Sequence, residues 1–209
     1  MYRILIADDH TIVRKGLKQI LLDAFPSAFI EETADAEDLL KRVFSEDWDL
    51  VISDISMPGR SGLDVLQQIR QSHPKLPILI LSMYPEDQYA IRVLKAGASG
   101  YLNKNSAPEE LIKAINHVLL GKKYITPSIA EKLAAGFDQD AQKFTHESLS
   151  DREFEVLKLL AAGKSVSEIS EQISLSASTI STYRARIMTK LNLKTNADLT
   201  MYSFENKLI

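Results

Sequence analysis

The chain has 209 residues and a formal net charge of −3, with 45% hydrophobic and 25% charged residues. This length suits one large domain or two modest ones, and the composition excludes wholesale disorder. The lack of cysteine excludes a disulfide scaffold, thiolate chemistry and cysteine-based zinc sites. The sequence has neither a signal peptide pattern nor an apolar run near the ~20 residues of a membrane span. We therefore expect a cytoplasmic protein that does not bind membranes.

The first 121 residues alternate between strand-like and helix-like segments. Short apolar runs predict five strands, at residues 2–7, 29–33, 50–54, 77–82 and 99–102. Between them, apolar residues recur with helical spacing, as at Val13, Leu17 and Ile20. Runs such as LVIS and ILIL are typical of strands that are covered on both faces. Five strand–helix units therefore predict an α/β domain, a doubly wound parallel sheet with helices on both faces.

The pattern changes after Gly121. Pro127 opens a short helix that we expect to run through Leu133, and Gly136 can end it. Residues 137–148 are polar and aperiodic, as in a linker. The sequence therefore predicts an α/β domain over residues 1–121, a short helix and linker over 122–146, and an all-α domain over 147–209.

Residues 150–209 show helical patterns throughout. We expect helices at about residues 151–162, 166–173, 177–191 and 196–206. Their start and stop signals are a capping box at Ser150-x-x-Glu153, another at Ser165-x-x-Glu168, and the stop at Gly163. The second and third of these helices are separated only by a short turn around residues 174–176. This arrangement predicts a helix-turn-helix whose later helix enters the DNA major groove.

Acidic side chains follow the first and third predicted strands. Asp8 and Asp9 end the first strand, and Asp54 ends the third. Ligands of an open parallel sheet bind at the carboxyl ends of its strands, so we expect these three carboxylates to converge. Each would raise the pKa of the others unless a cation lay among them. Hard oxygen ligands without cysteine favour Mg²⁺ or Mn²⁺.

Two further polar residues end later strands. Ser82 closes the fourth strand, and Lys104 follows the fifth. A pocket of carboxylates, a divalent ion, a hydroxyl and an ammonium suits a phosphoryl group. Asp54 would be the nucleophile that forms an aspartyl-phosphate. Singly, each residue has an ordinary structural explanation, such as a helix-capping acid or a solvated ammonium, so the functional interpretation depends on their joint spacing.

Six residues of the first domain, together with the segment SMPGRSG after Asp54, have the identity and spacing of a known family. They are Asp8, Asp9, Asp54, Ser82, Tyr101 and Lys104. Residues 1–121 thereby resemble the receiver domain of bacterial response regulators. The resemblance implies a flavodoxin-like fold and phosphoryl transfer from a cognate histidine kinase. It also implies that Asp9, Asp54 and the backbone carbonyl of Ser56 ligate Mg²⁺, with Asp8 acting through water. Ser82 and Tyr101 would form a switch, in which the hydroxyl moves toward the phosphate and the ring turns inward.

The chain departs from the receiver pattern at two positions. Asn105 follows Lys104, where a proline is common in receivers. Met83 is bulkier than the small residue that often follows the switch hydroxyl. We expect Met83 to restrict the access of water and small phosphodonors to Asp54. His10 is expected to start a helix and not to act as a ligand.

The helix expected at 177–191 combines an apolar stripe with a polar face. Ile180, Ile187 and Leu191 form the stripe, and mostly small polar residues lie opposite it. Small side chains let a helix enter a groove deeply, while basic residues at its flanks contact phosphates. The expected DNA contacts are Ser178, Thr179, Ser181, Thr182, Tyr183, Arg184, Ala185, Arg186 and Lys190. Arg184 lies nearer the apolar stripe, so we expect it to contact the DNA backbone at most.

The motifs LSDRE, LLAAGKS and STIS resemble the LuxR-type helix-turn-helix domain over about residues 147–209. Together with the receiver, this implies the NarL/FixJ class of response regulator. Ser181, Tyr183 and Ala185 stand where that family often has Lys, His and a basic residue. We therefore expect readout of double-stranded DNA to rely on thymine methyls, hydroxyls and DNA shape. A homodimer is expected when the protein is phosphorylated, with the last helix pairing the copies.

Two other functions fit parts of the sequence. A Mg²⁺-dependent phosphohydrolase also forms an aspartyl-phosphate, but it usually carries Asp-x-Asp, and Ser56 stands where the second acid would be. A scaffold would instead use its helical domain to bind protein, independently of phosphorylation. The sequence favours a phosphorylation-controlled transcription factor that is not an enzyme.

Overall fold

The computed structural model describes residues 1–57, 62–136, 146–173 and 175–209. The chain divides into two compact units, residues 1–139 and 140–209. Most of the predicted linker, residues 137–145, lies outside the described residues. The same is true of Ser174 in the predicted turn and of residues 58–61 in the SMPGRSG loop.

The first unit consists of one sheet and the helices that cover it. Its strands are β1 (Arg3–Ala7), β2 (Phe29–Thr33), β3 (Leu50–Asp54), β4 (Ile78–Ser82) and β5 (Gly100–Asn103). Its helices are α1 (Thr11–Ala24), α2 (Ala36–Ser45), α3 (Gly62–Ser72), α4 (Glu86–Lys95), α5 (Pro108–Leu119) and α6 (Pro127–Gly136). Every predicted strand is present, with ends within one residue of the prediction. Helix α6 runs past Leu133 because the alanines that follow have high helix propensity.

The sheet is parallel, with strand order β2-β1-β3-β4-β5. The predicted doubly wound fold is thereby confirmed, and β1 and β3 are neighbours, with Ala7 paired to Ser53. Parallel strands place all their carboxyl ends at one edge. The polar residues that end the strands are therefore brought to a common crevice.

Alternation along the strands gives the sheet two apolar faces. One face packs against α1 and α5 through Ile4, Ile6, Leu50, Ile52, Leu79, Leu17, Leu21 and Ile115. The other face carries the intervening residues Val51, Ile78 and Ile80, near Leu66 and Ile69 of α3. Strands β3 and β4 are buried at every position, which explains their continuous apolar sequence.

The second unit is a bundle of short helices. A 3₁₀ helix at His146–Ser148 precedes α7 (Asp151–Ala161), α8 (Val166–Gln172), α9 (Ala177–Lys190) and α10 (Asn196–Glu205). Both predicted capping boxes are present, and Gly163 follows α7 with a φ of 85°. None of the helices in the described part of the chain combines the length and apolarity that crossing a bilayer requires.

The 3₁₀ helix lies where the sequence predicts linker. The backbone N–H of His146 donates to the hydroxyl of Tyr202 at 2.9 Å, and the imidazole ring of His146 stacks on Phe154. These contacts join residues that are far apart in sequence, so no local pattern indicates them.

Ser203 is a buried serine on α10. Its Oγ has no hydrogen-bond partner among the described residues, and an unpaired buried hydroxyl costs about 1–3 kcal/mol. We expect Ser203→Ala to raise the free energy of unfolding of the second unit by about 1 kcal/mol in urea titrations followed by circular dichroism. Trp48, the single tryptophan, lies in the first unit, so its fluorescence transition should not move. A lower free energy of unfolding would contradict this prediction.

Candidate functional site

The carboxyl edge of the sheet brings polar side chains together from several strands. β1 leads into Asp8 and Asp9, β3 ends at Asp54, β4 ends at Ser82, and Lys104 follows β5. Strands β3 and β4 are buried at every position, and their polar side chains lie at or next to this edge. The crevice lies where ligands bind in open α/β sheets.

Lys104 joins two buried carboxylates in this crevice. Its Nζ lies 2.6 Å from Oδ2 of Asp8 and 2.6 Å from Oδ2 of Asp54. Asp8 is 1% exposed and Asp54 4% exposed. Two buried negative charges side by side would be strongly destabilising without a cation. The ammonium therefore supplies part of the positive charge that we expected from a metal ion on the basis of the sequence.

Burial and ion pairing act in opposite directions on these groups. Burial raises the pKa of Asp54 above its ordinary value, and the hydrogen bond from Lys104 offsets part of that rise. Burial alone would lower the pKa of Lys104, but its hydrogen bond to Asp54 and its ion pair with Asp8 raise it. The ammonium therefore stays charged. A further cation bound beside Asp54 would lower the pKa of that carboxyl again.

Asp9 and His10 lie beside the buried pair. Nδ1 of His10 is 2.7 Å from Oδ1 of Asp9 and 3.2 Å from Oδ1 of Asp8. Potential ligand atoms of Asp8, Asp9, His10 and Asp54 all lie within 4.8 Å of one another. His10 is the N-cap residue of α1, as the sequence predicts, and its backbone N–H donates to Asp8 at 2.8 Å.

The donor atoms fit a hard divalent cation. Oδ2 of Asp8 and Oδ1 of Asp9 are buried, and neither accepts a hydrogen bond from the described residues, although Lys104 and His10 lie at ion-pair distance. Carboxylate oxygens with free lone pairs are preferred ligands of Mg²⁺ and Mn²⁺. The backbone N–H of Ser56 donates to Oδ1 of Asp54 at 3.1 Å, so the loop after β3 begins at the pocket.

Ser82 and Tyr101 are both buried next to the β4–α4 loop. Ser82 is 1% exposed, and its Oγ accepts the backbone N–H of Tyr84 at 3.2 Å. The hydroxyl of Tyr101 donates to the carbonyl oxygen of Tyr84 at 2.7 Å, and its ring is buried. Burial raises the pKa of Tyr101, while a hydrogen bond with Ser82 opposes that rise. The ring of Tyr101 therefore occupies an inward position.

The two departures from the receiver pattern have different surroundings. Met83 is 61% exposed on the β4–α4 loop, and its expected effect on access to Asp54 stays a prediction. The backbone N–H of Asn105 donates to Oδ1 of Asn103 at 2.9 Å. A proline at position 105 could not make this bond because it has no N–H.

Helix α9 presents the polar face that the sequence predicts. Ile180, Ile187 and Leu191 are buried. The predicted DNA contacts that are exposed are Ser178, Ser181, Thr182, Ala185 and Arg186. Those that are only partly exposed are Thr179, Tyr183, Arg184 and Lys190.

The hydroxyl groups of α9 use their donors within the helix. Oγ of Ser181 donates to the carbonyl oxygen of Ala177 at 2.9 Å, and Oγ1 of Thr182 donates to that of Ser178 at 3.0 Å. Their lone pairs and the threonine methyl group remain on the exposed face. Ser176 caps the helix through the backbone N–H of Thr179.

Two basic residues of α9 are engaged inside the unit. Nζ of Lys190 donates to Oε2 of Glu153 at 2.6 Å and to the carbonyl oxygen of Ser148 at 3.3 Å. Glu153 is 2% exposed, and burial would raise its pKa, but Lys190 and Ser150 lower it. Nε of Arg184 donates to Asn196 at 2.8 Å. Of the basic residues predicted to contact DNA, Arg186 is exposed.

The sequence does not predict three features of these sites. It does not indicate the direct contact of Lys104 with both acids, the pairing of Glu153 with Lys190, or the bonds of Asn103. All three depend on side chains from distant elements. A third capping box, at Thr195, uses Asp198 instead of Glu, and the spacing could have revealed it.

Comparison with known proteins matches both halves of the chain. The model of the response regulator receiver domain matches residues 4–116, and that of bacterial regulatory proteins of the luxR family matches residues 147–203. Response regulator UvrY of Escherichia coli K12 is 35% identical over 209 residues, which cover 100% of this chain and 96% of that protein. Oxygen regulatory protein NreC of Staphylococcus carnosus is 37% identical over 214 residues, which cover 99% of each.

Solved structures of RcsB are similar along the whole chain. RcsB of Salmonella enterica serovar Typhimurium, bound to promoter rprA in the presence of phosphomimetic BeF3-, has a TM-score of 0.65 and 30% identity. It covers 97% of this chain and 98% of its own. The chain belongs to the NarL/FixJ class of two-component response regulators, in which a receiver domain is joined to a LuxR-type DNA-binding domain that regulates transcription.

Proposed function

We propose that this response regulator is controlled by phosphoryl transfer from a cognate histidine kinase to Asp54. The observation that carries the proposal is the pair of 2.6 Å contacts that hold Lys104 against Asp54 and Asp8. A buried carboxylate beside an ammonium can act as a nucleophile toward phosphorus, and the ammonium stabilises the charge of the product. Asp54 is the phospho-acceptor because it lies at the end of a central strand, between Asp8 and Ser82.

The transfer step exchanges one bond to phosphorus for another. An oxygen of Asp54 attacks phosphorus while the P–N bond of the kinase phosphohistidine breaks, and that bond's electron pair leaves with the imidazole, which takes up a proton. Lys104 neutralises one phosphoryl oxygen, and Ser82 donates its hydroxyl to another. Both residues therefore bind the group after transfer as well as during it.

The carboxylates would hold Mg²⁺, or Mn²⁺ in its place. The ligands would be Asp9, Asp54 and the backbone carbonyl of Ser56, with Asp8 acting through water. When bound, the ion neutralises charge on the phosphoryl oxygens. Buried oxygens of Asp8 and Asp9 that accept no hydrogen bond from the described residues support this assignment.

Phosphorylation would act through Ser82 and Tyr101 as a two-state switch. The hydroxyl of Ser82 now accepts the N–H of Tyr84, so its rotation toward a phosphoryl oxygen exchanges that bond. The ring of Tyr101 is already buried, with its hydroxyl on the carbonyl oxygen of Tyr84, so phosphorylation would favour this inward position. The resulting receiver state frees or pairs the DNA-binding domains.

The second unit would bind double-stranded DNA with α9 in the major groove. The exposed face of α9 offers hydroxyl lone pairs and methyl groups, because the hydroxyl donors of Ser181 and Thr182 are bonded to the backbone. Such a face accepts hydrogen bonds from adenine or cytosine amino groups and packs on thymine methyls. Few bidentate contacts to guanine are available, so DNA shape contributes to specificity.

A homodimer would place two such helices on two half-sites. Helix α10 exposes Met201 by 63% and Phe204 by 73%, one turn apart. Two large apolar side chains on one exposed face are typical of a contact surface. We assign the pairing of phosphorylated copies to this face.

Arg186 and Lys190, two cations of α9 that the sequence predicts to contact DNA, should respond differently to substitution. In titrations of duplex DNA binding against salt, we expect Arg186→Gln to reduce the slope by about 1 per bound protomer, because one phosphate contact is lost. Lys190→Gln should leave the slope unchanged. It should instead lower the free energy of unfolding of the second unit by about 2 kcal/mol, since buried Glu153 loses its cationic partner. A reduced slope in Lys190→Gln would show that Lys190 contacts DNA.

DNA binding by the full chain tests the proposed function. Affinity for genomic DNA fragments would be measured with Mg²⁺ alone and with Mg²⁺ plus beryllofluoride, a phosphoryl mimic. We expect beryllofluoride to tighten binding by about tenfold, or about 1.4 kcal/mol, and to have no effect on Asp54→Ala. An equal response of both proteins, or no response of the unsubstituted chain, would contradict the proposal.

A further inference from the structure

We infer that Asn103 is a positioning residue that holds the loop carrying Ser82 against the loop carrying Lys104. The inference rests on the proposed function, in which Ser82 and Lys104 bind oxygens of the same phosphoryl group. Asn103 ends β5 and lies in register with Ser82, which ends β4. It therefore stands between the two loops that the phosphoryl group must bridge.

The carboxamide of Asn103 bonds to both loops. Its Oδ1 accepts the backbone N–H of Asn105 at 2.9 Å, and its Nδ2 donates to the carbonyl oxygen of Tyr84 at 3.0 Å. The same Tyr84 oxygen accepts the hydroxyl of Tyr101 at 2.7 Å, so this carbonyl is fixed from two directions. The Tyr84 N–H in turn donates to Oγ of Ser82 at 3.2 Å.

These bonds extend a link that the backbone already makes. The N–H of Lys104 donates to the carbonyl oxygen of Ser82 at 2.8 Å, which ties the two strand ends together. That backbone bond does not fix the Ser82 side chain, whose Oγ accepts the N–H of Tyr84. Asn103 fixes the Tyr84 peptide and thereby the point from which the Ser82 hydroxyl starts its rotation.

The backbone N–H of Asn105, the residue after Lys104, contributes to the position of Asn103. The Asn103 carboxamide is oriented by its bond to the Asn105 N–H, and a proline at position 105 would remove that donor. With the amide oxygen held at Asn105, the amide nitrogen is aimed at Tyr84. Only the backbone N–H of Asn105 takes part, so its side chain is not required, and Asn103 acts through Tyr84 without contacting the phosphoryl group.

Phosphorylation of the full chain by acetyl phosphate, at saturating Mg²⁺, tests this role. We expect Asn103→Leu to lower the saturating rate by about tenfold, while the donor concentration for half-maximal rate stays within about twofold. Asn103→Asp keeps an acceptor for Asn105 but loses the donor to Tyr84, so its saturating rate should fall as well. Asn105→Ala keeps its backbone N–H and is the matched control, with a rate like that of the unsubstituted chain.

Amide exchange supplies a readout that loss of stability alone would not give. In Asn103→Leu, the Tyr84 N–H should exchange at least about tenfold faster, while amides within β4 keep their protection. Equal saturating rates in Asn103→Leu and the unsubstituted chain would overturn the inference alone. So would an equal loss in Asn105→Ala. Failure of the unsubstituted chain to accept a phosphoryl group from both acetyl phosphate and a histidine kinase would overturn the proposed function and this inference with it.

Discussion

Replacing Asp54 with asparagine is expected to abolish phosphoryl uptake, with labelling reduced by at least about 100-fold. The carboxamide has nearly the same size and can still accept the N–H of Ser56, but its oxygen is not a nucleophile. Lys104 remains beside Asp8, so the pocket keeps a charged pair. Labelling is measured by phosphate-affinity electrophoresis after reaction with acetyl phosphate or a histidine kinase.

Asp64→Asn is the matched control for this substitution. Asp64 is an exposed acid in the first turn of α3 and contributes nothing to the pocket. Its replacement changes net charge equally and should leave labelling unchanged. Label that persists in Asp54→Asn at the level of the control would show that another residue accepts the phosphoryl group.

Arg70→Ala is expected to lower the free energy of unfolding of the first unit by about 3 kcal/mol or more. The guanidinium of Arg70, on α3, is partly buried and donates to the Oγ of Ser99 and to the carbonyl oxygens of His73, Pro74, Leu76 and Gly97. The Nε–O distance to Gly97 is 2.6 Å. These groups belong to the turns before β4 and β5, and truncation leaves several partly buried carbonyls without this donor.

Trp48 fluorescence in urea reports this effect directly because the indole lies in the first unit. Arg70→Lys provides a graded control, since an ammonium keeps the charge but cannot reach the same set of acceptors. We expect its free energy of unfolding to lie between those of Arg70→Ala and the unsubstituted chain. An Arg70→Ala midpoint equal to that of the unsubstituted chain would show that water replaces these bonds without cost.

Much of the receiver pocket could be predicted because strand ends are marked in the sequence. Continuous apolar runs located the strands, and parallel strands send their terminal residues to one edge. Asp8, Asp54 and Lys104 therefore lie in one crevice, as the sequence predicts, although the direct contacts of Lys104 with both acids are not predicted. The helix starts could also be predicted, because the two residues of a capping box lie within four positions of each other in the sequence.

The missed features depend on bonds between distant segments. Arg70 has no local motif, since its acceptors are backbone carbonyls that any residue could supply. Lys190 has the position of a DNA contact on α9, yet its ammonium reaches Glu153 at the start of α7. A helical pattern predicts which face is polar but not which of its long side chains finds a partner inside the fold.

Identification of the phosphorylated residue tests the central claim most directly. The full chain is treated with acetyl phosphate and Mg²⁺, then with borohydride, which reduces an aspartyl-phosphate to homoserine and releases phosphate. Mass spectrometry should place homoserine at position 54 alone, and chelation of Mg²⁺ should prevent its formation. Homoserine at Asp8 or Asp9, or a phosphoryl group retained on His10 or Ser82, would contradict the account.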